Sequence, residues 1–150
     1  MASELETIAR RLIDEGFNGG RLEVADELIS PGLVEHQSFG PHHAAGADGV
    51  KAVIASLRRA FSDFHLSIDD LAVSGDTVWL RMTGTGTNDG SFMGHAPTGR
   101  AMRTHVFDAV RVENGRIVEH WGVPDRLGTL FQLGLAEPPT RPVTSGATPA

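Results

Sequence analysis

Between Glu4 and Phe17 apolar residues return at three- and four-residue steps: Leu5, Ile8, Ala9, Leu12 and Ile13 fall on one side of a helix. Ser3 is placed to cap that helix, and Gly19-Gly20 ends it. A second, shorter helix is predicted over about Leu22 to Ile29, closing at Ser30-Pro31 because proline disfavours helical backbone in the residue before it. A third runs from about Asp48 to Phe61, where Val50, Val53, Ile54, Leu57 and Phe61 form one apolar stripe and Arg58-Arg59 lie off it. The intervening stretch Phe39 to Gly46 has the composition of a loop.

After Phe61 the period drops from 3.6 to 2. Phe64, Leu66 and Ile68 alternate with polar neighbours, as do Val78, Leu80 and Met82; Ser74-Gly75-Asp76 between them predicts a hairpin turn. Asp69-Asp70 interrupts the first run and reads as a bulge or solvated edge. Two further runs, Ala101 to Val112 and Arg116 to Val123, flank Glu113-Asn114-Gly115, whose Asn-Gly pair suits a tight turn with positive φ. A last short helix is expected from about Arg126 to Leu133. The predicted class is therefore α+β: a curved antiparallel sheet of four or more strands, its concave face covered by three N-terminal helices in an α+β barrel. Such a half-cone leaves a pocket between sheet and helices. Residues 1–135 form one domain in this reading, and 136–150, with Pro138, Pro139, Pro142 and Pro149, form a flexible tail.

Composition narrows the function. A chain of 150 residues with 13 basic against 19 acidic side chains carries a net charge of −6, the wrong sign for neutralising phosphates, so nucleic acid is not an expected partner. No run approaches the roughly 20 apolar residues of a membrane span. With no cysteine, thiol chemistry and zinc-thiolate sites are excluded. The first residues lack the apolar core of a secretory signal, which points to a cytoplasmic protein. The glycines from Gly84 to Gly99 lie between strands, without the strand-to-helix context of a phosphate loop. His36, His42 and His43 lack metal-ligand spacing, and no metal or cofactor is expected.

Titratable residues on the strands carry more weight. Arg103, His105 and Phe107 are two residues apart and share one face of the third strand, with Asp108 opposite. Trp121, Val123 and Asp125 share the parity of Ile117. If those faces line the hollow, Arg, His, Trp and Asp converge in an apolar setting suited to proton transfer. Asp125, following Pro124 and preceding Arg126-Leu127, equally suits the N-cap of the last helix.

Two segments, GADGVKAVIASLRRAFSDFHLSIDDLAVSGDTVWLRMTGTGTNDGSFMGHAPTG from Gly46 to Gly99 and GRIVEHWGVPDRLGTLFQLG from Gly115 to Gly134, resemble the SnoaL-like polyketide cyclases and the broader ester cyclase group. The resemblance spans about residues 4 to 135, and EHW-x3-D-x-LG-x-L-x-QLG is its most specific part. It implies the cone-shaped α+β fold shared with ketosteroid isomerase. It also implies cofactor-independent intramolecular aldol ring closure of a small apolar or polycyclic substrate, with an aspartate as acid/base. Carried onto this chain, the acid/base position is Asp125 and the assisting one is His105. Substrate contacts then fall to His36, Arg103, Phe107, His120 and Trp121. An epoxide hydrolase or isomerase on the same fold, or a non-catalytic binding module, are the alternatives. A homodimer or homotetramer is expected, because one apolar sheet face needs cover. The loop Val34 to Gly46 departs from the family pattern.

Overall fold

The computed structural model describes residues 2–39 and 43–140. His42, and the expected tail beyond Thr140, lie outside the described residues. Helix α1 (Glu4–Arg11) is capped by Ser3, whose hydroxyl accepts from the Glu6 amide at 3.2 Å. It continues as a wider π-helical stretch over Leu12–Asn18. Helices α2 (Glu23–Leu28) and α3 (Gly46–Ala60) follow the predicted amphipathic segments within a few residues. Strands β2 (His65–Ser74), β3 (Thr77–Thr87), β4 (Ala101–Glu113) and β5 (Arg116–Pro124) are the four expected from the two-residue alternation, and α4 (Arg126–Leu133) closes the fold. The second hairpin turns on Asn114 (φ 50°) and Gly115 (φ 75°), the positive-φ pair that an Asn-Gly turn requires. The register of β2 against β3 shifts between Ile68 and Asp70, so the double aspartate is a bulge.

A fifth strand, β1 (Ile29–Glu35), departs from the expectation of a purely antiparallel sheet. The sheet order is β1-β5-β4-β3-β2, and β1 runs parallel to β5. Ser30-Pro31-Gly32 conceals it in the sequence: a proline is tolerated on an edge strand, where its missing N–H disturbs no ladder.

The concave sheet face packs on the helices. Fully buried Val24, Ile54, Phe61, Val78, Met82 and Ile117 form the centre of that layer. The β3–β4 connection is fixed at its base by Asn88, which is fully buried. Its amide donates to the Ala60 and Gly90 carbonyls at 3.2 and 2.8 Å, and its oxygen accepts from the Thr98 amide at 2.9 Å. The Asp63 carboxylate accepts from the Thr87 amide at 2.7 Å. These bonds hold Phe92 against Phe61, edge to face with centroids 5.3 Å apart, and both rings line the space between sheet and helices.

Candidate active site

The space between sheet and helices is a cavity of about 710 Å³, within the range of pockets that enclose drug-sized ligands. Its walls are largely apolar: Leu12, Ile13 and Leu57 from the helices and Leu80, Val106 and Val110 from the sheet. Four polar groups, Glu35, Gln37, Asp108 and His120, sit together where β1, β5 and β4 adjoin, while Ser56, Thr104, Arg126 and Thr129 also line the cavity.

Register puts them there. On β4 the even-numbered residues Met102, Thr104, Val106, Asp108 and Val110 all line the cavity, so Asp108 is a carboxylate set in an apolar stripe. Asp108 is paired with Gly122, and Val110 with His120, so Asp108 and His120 are diagonal neighbours on adjacent strands. On the other side Glu35 is the register partner of His120. The His120 imidazole therefore lies between two carboxylates, Nδ1 at 2.7 Å from Glu35 Oε1 and Nε2 at 3.3 Å from Asp108 Oδ2. Glu35 Oε1 also accepts the Gln37 amide at 2.9 Å. Burial works against a charged imidazole here, but the hydrogen bonds and charges of Asp108 and Glu35 outweigh it and push His120 up to about 9. At neutral pH His120 is an imidazolium donating from both nitrogens.

One acceptor is left over. Asp108 Oδ1 is buried and has no hydrogen-bond partner, an arrangement that native proteins rarely keep without a use. Gly122 makes this geometry possible. A Cβ at position 122 would overlap Gln37 Oε1 and come within 2.9 Å of both Asp108 Oδ1 and His120 Cε1. Without it, the Gln37 side chain lies over the strand beside the free carboxylate oxygen.

A family model described as SnoaL-like polyketide cyclase matches residues 7–133. The chain belongs to the SnoaL-like polyketide cyclase family. Among curated members, the aklanonic acid methyl ester cyclase DnrD of Streptomyces peucetius is 29% identical over 140 residues, covering 89% of this chain and 92% of that one. The nogalonic acid methyl ester cyclase of Streptomyces nogalater is 26% identical over 120 residues, covering 79% of this chain and 89% of that one. Among solved structures, TsrD from Streptomyces laurentii superposes with a TM-score of 0.80 at 27% identity, covering 89% of this chain and 96% of that one. IdmH from Streptomyces antibioticus gives a TM-score of 0.75 at 32% identity, with 88% and 99% covered. The α+β barrel is thus the fold of the family.

The family motif EHW-x3-D enters the cavity through His120 rather than through its aspartate. Asp125 is exposed and caps α4, accepting the Gly128 amide on Oδ1 at 2.9 Å; of the two roles open to it in the sequence, the cap is the one the geometry displays. Arg103, His105 and Phe107 point out of the barrel on the convex face, which corrects the expectation that they line the hollow. Trp121 and His36 are outside as well, stacked on one another with centroids 4.8 Å apart and planes within 5°. The error on β5 has a specific cause. Val112 pairs with Ile117 but Arg111 with Glu119, so Val118 is an extra residue, and a one-residue bulge exchanges the faces of everything after it. Ile117 points inward, and so does His120, while Trp121 does not. Asp108 and Glu35 were not anticipated. The available signal on β4 was the apolar series Met102, Val106, Val110 and Val112, in which Asp108 is the one charged member. Of the histidines considered for a metal, the two described ones are apart: His36 lies on the convex face and His43 lines the cavity. No group of three metal-ligating side chains occurs among the described residues. No helix among them is long and apolar enough to cross a membrane.

Proposed function

We propose that the protein closes a ring in a polyketide-type ester by intramolecular aldol condensation, with Asp108 as the acid/base and His120 and Glu35 as the pair that holds and balances it. The observation that carries this reading is Asp108, a carboxylate among the lining of an apolar cavity of about 710 Å³, whose Oδ1 is buried and without a hydrogen-bond partner.

Aldol closure needs a base at an activated C–H, stabilisation of the enolate, and a proton for the carbonyl oxygen that becomes an alkoxide. Asp108 Oδ1 takes the proton from carbon while Oδ2 stays against the His120 imidazolium. The enolate carbon attacks the ketone carbon, forming the C–C bond, and the new alkoxide recovers a proton from the Asp108 carboxyl. Protons taken and returned are equal, so the step consumes no oxidant or reductant. The Gln37 carboxamide, beside Asp108 across Gly122, donates a hydrogen bond to the enolate or alkoxide oxygen. Apolar walls supply orientation, which is worth up to ~7–11 kcal/mol when reacting groups are held in line. An acidic carbon next to an ester lowers the demand on the base, as in the handling of acidic C–H groups by other aspartate bases. The names of its relatives, methyl ester cyclases of aklanonic and nogalonic acid, support this substrate class.

Turnover of aromatic polyketide methyl esters by the wild-type protein, followed by product absorbance and mass, tests the reading. Asp108→Asn should fold and bind but lose turnover. Tight binding without turnover by the wild-type protein, across such esters, would instead make this a carrier of apolar molecules.

A further inference from the structure

Among the described residues, Arg126 is the one side chain of permanent positive charge in the cavity lining, and the ring closure gives it no part. It is exposed. The cations held in ion pairs among the described residues are Arg10, Arg11, Arg21, Lys51, Arg81 and Arg111, and Arg126 is not one of them. Asp125 precedes it in the chain, but that carboxylate accepts the Gly128 amide at 2.9 Å.

The backbone that carries Arg126 is fixed, because α4 is fastened to β4 near both of its ends. The Asp125 amide donates to the His105 carbonyl at 2.9 Å, and the Asp125 carbonyl accepts from the Thr104 and Thr129 hydroxyls at 3.1 and 3.0 Å. Farther along the helix, the Gln132 carboxamide accepts from the Arg103 amide at 2.7 Å and donates to the Arg103 carbonyl at 2.9 Å. It takes the place of a ladder partner, since β5 pairs no further than Pro124. Arg126 therefore enters the cavity from a set point beside Thr104.

Charge is distributed unevenly along this cavity. At the inner cluster two carboxylates, Glu35 and Asp108, meet one imidazolium, His120, which leaves a negative charge in excess. About 13 Å of extended strand separates Thr104 from Asp108, with Val106 as the lining residue between them. A bound anion is repelled from the inner cluster and drawn to the guanidinium, and apolar walls screen neither effect as water would. The planar guanidinium matches a carboxylate with two parallel hydrogen bonds.

We propose that Arg126 is a specificity-determining residue that anchors a carboxylate on the substrate, at the end of the ring system remote from the acidic carbon. The substrate class is then a polyketide with an ester at its reacting end and a free acid at the other. The assignment of the two ends rests on the aldol reading above. Held in this way, the molecule enters with its ester toward Asp108 and cannot bind reversed without bringing its carboxylate against Asp108 and Glu35.

Anthraquinone-2-carboxylate and its methyl ester are planar tricyclic probes that differ at this one group. Isothermal titration calorimetry should show the wild-type protein binding the acid at least about ten-fold more tightly than the ester, with added salt narrowing the gap. Arg126→Gln should bind the ester as the wild type does and lose the gap, with the far-UV circular dichroism unchanged. Arg126→Lys, which keeps the charge without the fork, should retain part of it. Arg126→Met repeats the test if the glutamine variant does not fold. Equal affinity of the wild type for acid and ester overturns the proposal. So does a gap that survives in Arg126→Gln, or a wild-type protein that does not bind the acid. Neither probe can close a ring, so the result is independent of turnover. An Arg126-dependent gap in a protein that cyclises no ester would sustain the anchor and overturn the aldol reading, and cyclisation without the gap would do the reverse.

Discussion

His120 Nε2 stands 3.3 Å from Asp108 Oδ2 across the β4–β5 pair, although the two residues are diagonal rather than opposite in the ladder. The residue directly opposite Asp108 is Gly122. Because it has no side chain, the imidazole and the carboxylate meet over its backbone, with Asp108 Oδ1 buried and unpartnered beside it. Where the end of β1 meets β5, a second histidine–glutamate contact lies on the other surface, His36 to Glu119 at 2.8 Å. Burial separates the two: the inner pair borders the cavity, while the outer lies on the convex face.

Asp108→Asn keeps the shape of the side chain and cannot take up a proton. Turnover should fall by roughly 10²–10⁴ while ligand binding persists. Asp125→Asn, which retains an N-cap, should leave turnover within a few-fold of wild type, and Asp125→Ala should cost ~1 kcal/mol of stability. Steady-state kinetics with thermal melting separates the two aspartates; an inactive, well-folded Asp125→Asn beside an active Asp108→Asn would reverse the assignment.

Stability should depend on the protonation of His120. Its folded value, about 9, lies above the ordinary 6.5, so the folded state holds the proton more tightly than the unfolded chain does. The stabilisation is complete below about pH 6.5 and is lost as pH rises through about 9. Denaturant midpoints measured at pH 6.5, 8 and 9.5 should decline in that order, and His120→Gln should flatten the decline.

Gly122→Ala introduces a methyl group where the Gln37 amide lies, 2.9 Å from Asp108 Oδ1. The flexible glutamine end can swing away, so melting temperature should change by only a few degrees. Displacing it from the carboxylate should lower kcat more than it raises KM, by ten-fold or more if the amide supports the oxyanion (on the order of the 10²–10³ seen for one oxyanion donor). An unchanged kcat would remove Gln37 from the chemistry.

Asn88→Ala strips the base of the β3–β4 connection of its buried bonds to Ala60, Gly90 and Thr98. Leaving those groups unpaired costs about 1–3 kcal/mol each where they stay dry. Denaturant unfolding should show a loss of at least ~2 kcal/mol, and loosening of the Phe92 segment should raise KM.

Deleting residues 141–150 should leave the melting temperature and turnover unchanged, given a composition dominated by Pro, Thr, Ser, Gly and Ala, with Val143 its one larger apolar side chain, that offers little apolar area to bury. A drop of several degrees in differential scanning calorimetry would place the segment within the folded domain.

Periodicity alone located α1, α3 and α4, both hairpin turns and the four strands from β2 to β5, because helix stripes, Asn-Gly turns and two-residue alternation are local properties of the chain. β1 escaped it. An edge strand pairing in parallel with β5, nearly ninety residues away, is stabilised by a partner that no local pattern announces. Alternation also says that a strand has two faces without saying which is inner. On β4 that choice was made by the helices, which need apolar cover from Met102, Val106 and Val110 and so draw Asp108 inward with them and leave His105 outside. On β5 it was made by one extra residue, Val118, which turned His120 into the barrel and Trp121 out of it. The resemblance in the EHW segment therefore identified the family, whereas the meeting of Glu35, His120 and Asp108 required three strands in register, a relation that exists only once the sheet has formed.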